Sequence, residues 1–234
     1  MKQTLVLGLV GLMAPALFAA ESGNKVASAS KQLGEKQNYS WTTTTKEADG
    51  SAGRLGPVDG KADKAGLTYL SFSVSDVPVE VYMKGEKGTA KALEGWQTFD
   101  DIAQTSGTAA AIVRFLRAYK CPVAQSANLA ENTKNLKEAD GALSGELKED
   151  IVKELLLFGG RRREGQEAPK IENPKGSIKF WIKDGVLAKY EIKVQGKVTA
   201  GDRENEVDRT TTVEIKDAGT TKLEVPDEAK QKLT

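Results

Sequence analysis

Residues 178–198 alternate apolar and polar side chains over one long stretch, interrupted only by Asp184-Gly185. No other feature of the chain constrains the fold as much. A period of two with one apolar face means an antiparallel hairpin covered on one side. The pattern also bears on the register. A two-residue loop would pair Lys183 with Val186 and Trp181 with Ala188, mixing charged and apolar residues on both faces. A three-residue loop, Lys183-Asp184-Gly185, pairs Ile182 with Val186, Phe180 with Ala188 and Ile178 with Tyr190. One face then stays apolar through Ile192, Val194 and Val198. The pattern therefore predicts the longer loop, a type I turn with Gly185 left-handed and a bulge. Trp181 then falls opposite Leu187 on the other face.

Other segments share this texture. Residues 39–45, 67–74, 77–84, 88–93, 207–216 and 220–225 are rich in β-branched or aromatic residues, or alternate. The last two are expected to form a hairpin through Asp217-Ala218-Gly219, with Val213, Ile215, Leu223 and Val225 inward. Residues 46–66 and the Arg- and Pro-containing 161–175 read as loops. Pro226 ends the strands ahead of a short helix, Asp227–Leu233.

Two regions have helical character. In 22–36, Ser22 is placed to cap and Val26, Ala29, Ser30 and Leu33 fall on one face. Residues 98–158 read as mainly helical. Thr98 with Asp101 resembles a capping box. Thr108 is placed to cap a helix striped by Ile112, Phe115, Leu116 and Tyr119. Pro122 suits the first turn of another, ending near 134. Ser144 is placed to cap a last one, lined by Leu147, Ile151, Leu155 and Phe158 and ended by Gly159-Gly160. Strands with one apolar face must bury it under helices or close into a barrel. The expected fold class is α+β: a curved antiparallel β-sheet or incomplete β-barrel, covered by an N-terminal helix and a helical insertion at about 98–158. Residues 21–234 are expected to form a single half-barrel domain.

Ahead of it, Met1–Ala20 has the parts of an export signal. Lys2 precedes an apolar run of nine residues, Leu5–Met13, then Pro15 as a helix breaker and Ala19-Ala20 before Glu21. Such a run is short of the roughly 20 residues that span a bilayer. No later stretch is long and apolar enough, so no membrane span is expected. The expected destination is periplasmic or secreted, with cleavage near Ala19 or Ala20. Without Lys2 the chain has 33 Lys and Arg against 33 Asp and Glu. That balance argues against a nucleic-acid partner.

Chemistry is scarce. The chain has no His and one Cys. His-based triads, His metal ligands, Cys-rich zinc sites and any disulfide within the chain are excluded. Cys121 reads as a small buried apolar group. No phosphate loop or nucleophile elbow is present. Asp100-Asp101, the densest carboxylate pair, reads as helix-start charge. Asp59 and Asp63 flank a loop with too few ligands for calcium. Arg161-Arg162-Arg163 is the one concentrated basic patch and reads as a solvated loop. No catalytic residue, metal or cofactor is expected.

Three stretches carry a resemblance: Trp96 after Glu94-Gly95, the run Phe180-Trp181-Ile182-Lys183-Asp184-Gly185, and the terminal Val225-Pro226-Asp227-Glu228-Ala229. With the order of segments, they resemble the periplasmic lipoprotein-carrier superfamily, which comprises LolA-like carriers and LppX/LprG-type envelope lipoproteins. That resemblance implies a half-barrel whose concave apolar face lies under helices and holds acyl chains. This chain lacks the attachment Cys of the lipoprotein branch. The inward positions expected to line a ligand are Phe72, Val81, Ile178, Phe180, Ile182, Tyr190, Ile192 and Val213. The expected partner is a lipid or other apolar molecule. The alternative is an envelope scaffold with a filled core that meets another envelope protein. Edman sequencing of the chain recovered from a secreting host is expected to start at Ala20 or Glu21; a start at Met1 would exclude a cleaved signal.

Overall fold

The computed structural model describes residues 14–53, 56–92, 95–105, 107–157 and 168–233. Every strand named among them joins one antiparallel sheet. The chain opens with helix α1 (Ala14–Gly34) and then lays down a meander. Its strands are β1 (Asn38–Glu47), β2 (Val58–Asp63), β3 (Leu67–Val74), β4 (Val77–Lys84), β5 (Lys87–Ala92) and β6 (Gly95–Thr98). Helices α2 (Phe99–Ala103), α3 (Thr108–Arg117) and α4 (Pro122–Glu131) follow. A second meander contains β7 (Thr133–Ala139), β8 (Ala142–Leu147), β9 (Lys170–Lys183), β10 (Val186–Ala200) and β11 (Arg203–Lys216). Helix α5 (Glu149–Leu157) lies between β8 and β9, and α6 (Asp227–Lys232) ends the fold. The strand order is β6-β5-β4-β3-β2-β1-β11-β10-β9-β8-β7. The first and last strands pair at the centre, with Trp41 opposite Ile215 and Thr43 opposite Val213. Edges β6 and β7 stay apart, so the barrel is incomplete. The α2–α4 segment connects those two edges along one face.

That face is the core. Its inward residues include Trp41, Leu70, Phe72, Val81, Ile178, Phe180, Tyr190 and Val213, all buried. They pack with Val26 and Leu33 of α1, Val113 and Leu116 of α3 and Leu129 of α4. The α1 stripe expected from the sequence is buried: Val26, Ala29, Ser30 and Leu33 all face the core, and Ser22 is buried with them. A Ser30–Ser126 hydroxyl pair at 2.8 Å ties α1 to α4. No helix among the described residues is long and apolar enough to cross a membrane.

The central hairpin departs from its expected register. The loop has two residues, with Val186 paired to Lys183 and Leu187 to Ile182. Asp184 (φ 51°) and Gly185 (φ 75°) are both left-handed, as a type I′ turn requires. The bulge sits at Ala188 instead. Beyond it, Trp181 faces Lys189, Phe180 faces Tyr190 and Ile178 faces Ile192. The extra residue restores the apolar face that a plain two-residue loop would scramble. Leu187 is consequently buried on the inner face, and Trp181 lies outside under the Lys189 ammonium, 4.9 Å from its ring centre.

Further expectations are corrected. α1 is already helical across Ala14–Gly34, so Ser22 lies inside it rather than capping it, and the Leu5–Met13 run lies outside the described residues. Residues 46–66 are not all loop, because β2 pairs with both β1 and β3. The 98–158 region contains the β7–β8 hairpin, so Ser144 sits in a strand and α5 starts at Glu149. Residues 220–225 form no strand, because β11 already pairs with β10 on one side and β1 on the other. The expected loop 161–175 gives way to β9 from Lys170, with Pro174 at a bulge. Thr108 is the first residue of α3, behind N-cap Gly107, whereas the Thr98–Asp101 capping box forms as expected. Phe158, Gly159-Gly160 and Arg161–Arg163 lie outside the described residues.

Gly60 shows how tightly the centre is filled. It pairs with Trp41 across β1–β2, and a Cβ added to it would meet the indole Cε2 at 2.1 Å. Gly60→Ala is expected to destabilise the fold by about 1–3 kcal/mol through overpacking, measured by urea unfolding; an unchanged midpoint would contradict this packing.

Candidate functional site

A groove of about 570 Å³ opens between α1 and the ends of two hairpins. Helix α1 contributes Asn24, Lys25, Ser28, Ala29 and Gln32. The β7–β8 hairpin contributes Glu138, Gly141, Ala142 and Leu143, and the β9–β10 hairpin contributes Phe180, Ile182 and Gly185. Both hairpins turn on Asp-Gly, with positive φ at Asp140, Gly141, Asp184 and Gly185. The tight turns bring both hairpins up to the helix. A Cβ at Gly185 would lie 3.0 Å from the Gln32 side-chain oxygen.

The helical period sorts the groove's α1 wall. Ala29 belongs to the buried stripe and reaches the floor, while Asn24, Lys25, Ser28 and Gln32 are exposed. Buried Ala29, Leu143 and Phe180 with half-buried Ile182 make an apolar floor. Across the mouth, Lys25 Nζ donates to Glu138 Oε2 at 3.1 Å. A concave site with an apolar floor and a few polar groups at its rim is the usual form of a small-molecule pocket.

The eight residues expected to line a ligand fall into two sets. Phe180 and Ile182 border the groove. Phe72, Val81, Ile178, Tyr190, Ile192 and Val213 are each at most 5% exposed and belong, with Phe180, to the continuous core. The structure brings them onto one face and packs helices against them. The groove's other walls were not foreseen. Asp140-Gly141 carried the needed signal, since Asp-Gly between alternating residues marks a hairpin; it is the same signal that marks Asp184-Gly185.

Beneath the helices the core holds a polar network. Trp41 Nε1 donates to the Tyr119 hydroxyl at 3.2 Å, and the Tyr190 hydroxyl donates to Gln125 at 2.5 Å. Cys121 is the N-cap of α4, half-buried, with its sulfur 3.2 Å from the Thr68 hydroxyl. Burial pushes the Cys121 thiol up, which suits an inert group better than a nucleophile. The carboxylates singled out in the sequence also have structural partners. The Asp101 carboxylate accepts from the hydroxyl of Thr98, the N-cap of α2, Asp100 pairs with Arg117, Asp59 accepts from Thr42, and Asp63 accepts from the Leu67 amide. Of the three tryptophans, only Trp41 is core. Trp96 stacks beside Tyr82 on the outer face, with Lys91 over its ring.

All five tyrosines resist ionisation. Burial raises Tyr39, Tyr119 and Tyr190 well above the usual phenol. Desolvation, helped by the hydrogen bond to Glu80, pushes Tyr69 up to about 12, and desolvation also raises Tyr82. An unfolded tyrosine loses its proton near pH ~10. Above that, the folded chain binds more protons than the unfolded chain, so stability falls as pH rises. The contribution is whole below pH ~10 and lost above it. Phenolate absorbance is therefore expected to appear in one cooperative step above pH ~10, coincident with loss of the circular-dichroism signal. A gradual rise centred near 10 in the folded protein would contradict the burial.

No protein-family model and no curated protein matches the sequence. Among solved structures, the chain is similar to LprF from Mycobacterium bovis, at 13% identity and TM-score 0.48, covering 90% of this chain and 98% of that one. It is similar to the Mycobacterium tuberculosis lipoprotein LppX, at 11% identity and TM-score 0.47, covering 87% and 98%. A LolA superfamily protein from Nitrosomonas europaea follows, at 10% identity and TM-score 0.33, covering 90% and 96%. These are the kinds of protein the sequence resembles. At such values the likeness says nothing of what this chain binds, which has to be read from its own geometry.

Proposed function

We propose that the chain is an exported, non-catalytic envelope protein, a single half-barrel domain that takes up a lipid or other apolar ligand in the groove between α1 and the two hairpins. The observation that carries this reading is the groove itself. Its volume of about 570 Å³ lies within the ~300–1,000 Å³ of small-molecule sites. Its floor of Ala29, Leu143, Phe180 and Ile182 offers apolar contact without a buried charge. Phe180 links that floor to the core, so a chain entering the groove would continue along the inner face if α1 gave way.

A second reading has its own support. Six of the eight residues expected to line a ligand are packed into the core away from the groove, which favours a scaffold that meets another envelope protein. Extraction of the purified protein followed by native mass spectrometry separates the two. Recovered lipid, or binding of an apolar fluorescent probe, supports the carrier. No lipid and no probe binding, with a protein partner trapped by crosslinking, supports the scaffold. Ile182→Glu puts a charge on the floor at a half-exposed position that the fold tolerates. It is expected to weaken probe binding by roughly tenfold or more, the affinity equivalent of losing one buried aliphatic contact, while leaving the thermal midpoint within a few degrees.

A further inference from the structure

Alternation along a strand sends every second side chain to the outer face of the sheet. In β9 these are Lys175, Ser177, Lys179, Trp181 and Lys183, interleaved with the core positions Ile178 and Phe180. The register extends the row sideways. Lys179 pairs with Ser144 of β8, and Ser144 with Lys137 of β7; Ser177 pairs with Glu146, and Glu146 with Lys134. The outer strand positions of β7, β8 and 175–183 therefore hold five exposed lysines against Glu146, with Asp140 and Asp184 in the turns at the end. Lys134 is shared with Glu146 and with Glu149 of α5. Lys137, Lys175, Lys179 and Lys183 form no ion pair with any described residue, although Glu191 stands opposite Lys179 across β9–β10. The neighbouring half of the same face is arranged differently. There Lys189 pairs with Glu214, Lys193 with Asp208 and Lys197 with Glu204, at 3.7, 3.6 and 2.7 Å. That ladder cancels its own charge, and the lysines of β7 and β9 do not.

The unpaired cations are spread over an area. Lys175 and Lys183 lie ~27 Å apart along β9, and Lys137 lies two strand spacings, ~10 Å, from Lys179. One phosphate cannot answer charges so far apart, whereas a plane of anionic groups can. Trp181 lies among them, half-buried, with the Lys189 ammonium 4.9 Å from its ring centre. Tryptophan is enriched where a bilayer meets water, because its ring is apolar and its N–H polar. We infer that the outer face of β7–β9 docks on an anionic lipid bilayer, its lysines against the head groups and Trp181 at their level. Lysines near such a surface each add attraction, screened by salt. The inference is independent of the groove and holds whether or not the groove takes a ligand.

The test is co-sedimentation of the purified full chain with vesicles of equal parts phosphatidylglycerol and phosphatidylcholine, against vesicles of phosphatidylcholine alone. At about 0.05 M salt the anionic vesicles are expected to bind at least about tenfold tighter, and to lose that advantage at about 0.5 M. Lys137→Gln and Lys179→Gln are each expected to weaken binding by about threefold to fivefold, and the pair by about tenfold or more. Lys64→Gln, on the β2–β3 turn in the other half of the sheet, is expected to change nothing. These side chains are exposed, and a melting curve checks that each variant keeps the fold. Brominated phosphatidylcholine in the anionic vesicles is expected to quench tryptophan fluorescence, and Trp181→Phe to abolish the quenching, since Trp41 is core and Trp96 lies on β6 at the far edge. Equal binding to the two kinds of vesicle, or unchanged binding in the double glutamine variant, overturns the inference. So does quenching that survives Trp181→Phe. Binding of polyphosphate as tight as that of the vesicles, with no quenching by brominated lipid, overturns the bilayer in favour of a soluble polyanion.

Discussion

The pairing of β1 with β11 is the contact on which the rest of the structure depends. It joins residues near opposite ends of the chain, Ser40 with Lys216 through Glu47 with Arg209. Each half of the protein is a meander that folds on its neighbours in sequence. Only this one long-range pairing fuses them into a single sheet and sets the far edges, β6 and β7, at opposite ends of it. The α2–α4 segment, tied to both edges, is then committed to run along one face. Closing so long a loop carries a large entropy that local contacts do not offset. The compensation is burial at the seam. Trp41, 1% exposed, lies over Gly60 and beside Tyr39, and Val213 opposite Thr43 is 2% exposed.

The helical cover follows from the same geometry. Large side chains on the helices are seated where the inner face of the sheet is small. Gly176 accommodates Val152 of α5, whose methyl would lie 2.6 Å from an added Cβ. Polar contacts orient the cover. The Tyr119–Trp41, Gln125–Tyr190 and Cys121–Thr68 pairs all link the α3–α4 region to inner-face strand residues. Buried hydroxyls and amides cost free energy unless paired, so these contacts favour one seating of the helices over its neighbours. The groove is what remains where α1 passes the hairpin tips, beyond the reach of that packing.

Legibility followed the range of the interactions. Strands with clean alternation, 67–74 and 77–84, appear within their expected bounds. The α1 stripe was readable because a helix carries its own period. The hairpin register departs from its expectation because a bulge at Ala188 and a three-residue loop both restore the apolar face. Periodicity alone does not choose between them, whereas Asp184-Gly185 favours the tight turn. The β7–β8 hairpin is hard to tell from helix because its only strong local marker is Asp140-Gly141, and β8 is held in the sheet by pairing with the distant β9. The strand expected at 220–225 has the right residues but no vacant edge to join. Of the eight residues expected to line a ligand, Phe180 and Ile182 border the groove, whereas Lys25 and Glu138, distant in sequence and ordinary in composition, carry no local signal of it.

The sequence by itself determined the α+β class, which side chains face inward on most strands, the buried stripe of α1 and the lack of histidine or paired-cysteine chemistry. These depend on residue identity and on periods of 2.0 and 3.6, which are local properties of the chain. Only the tertiary structure decided which strands are neighbours, where the bulges fall, that six of the eight inward residues are packed into the core away from the groove, and that the open space lies at the hairpin tips beside α1. Those depend on which edges are free once β1 and β11 have met, and no stretch of local sequence carries that information.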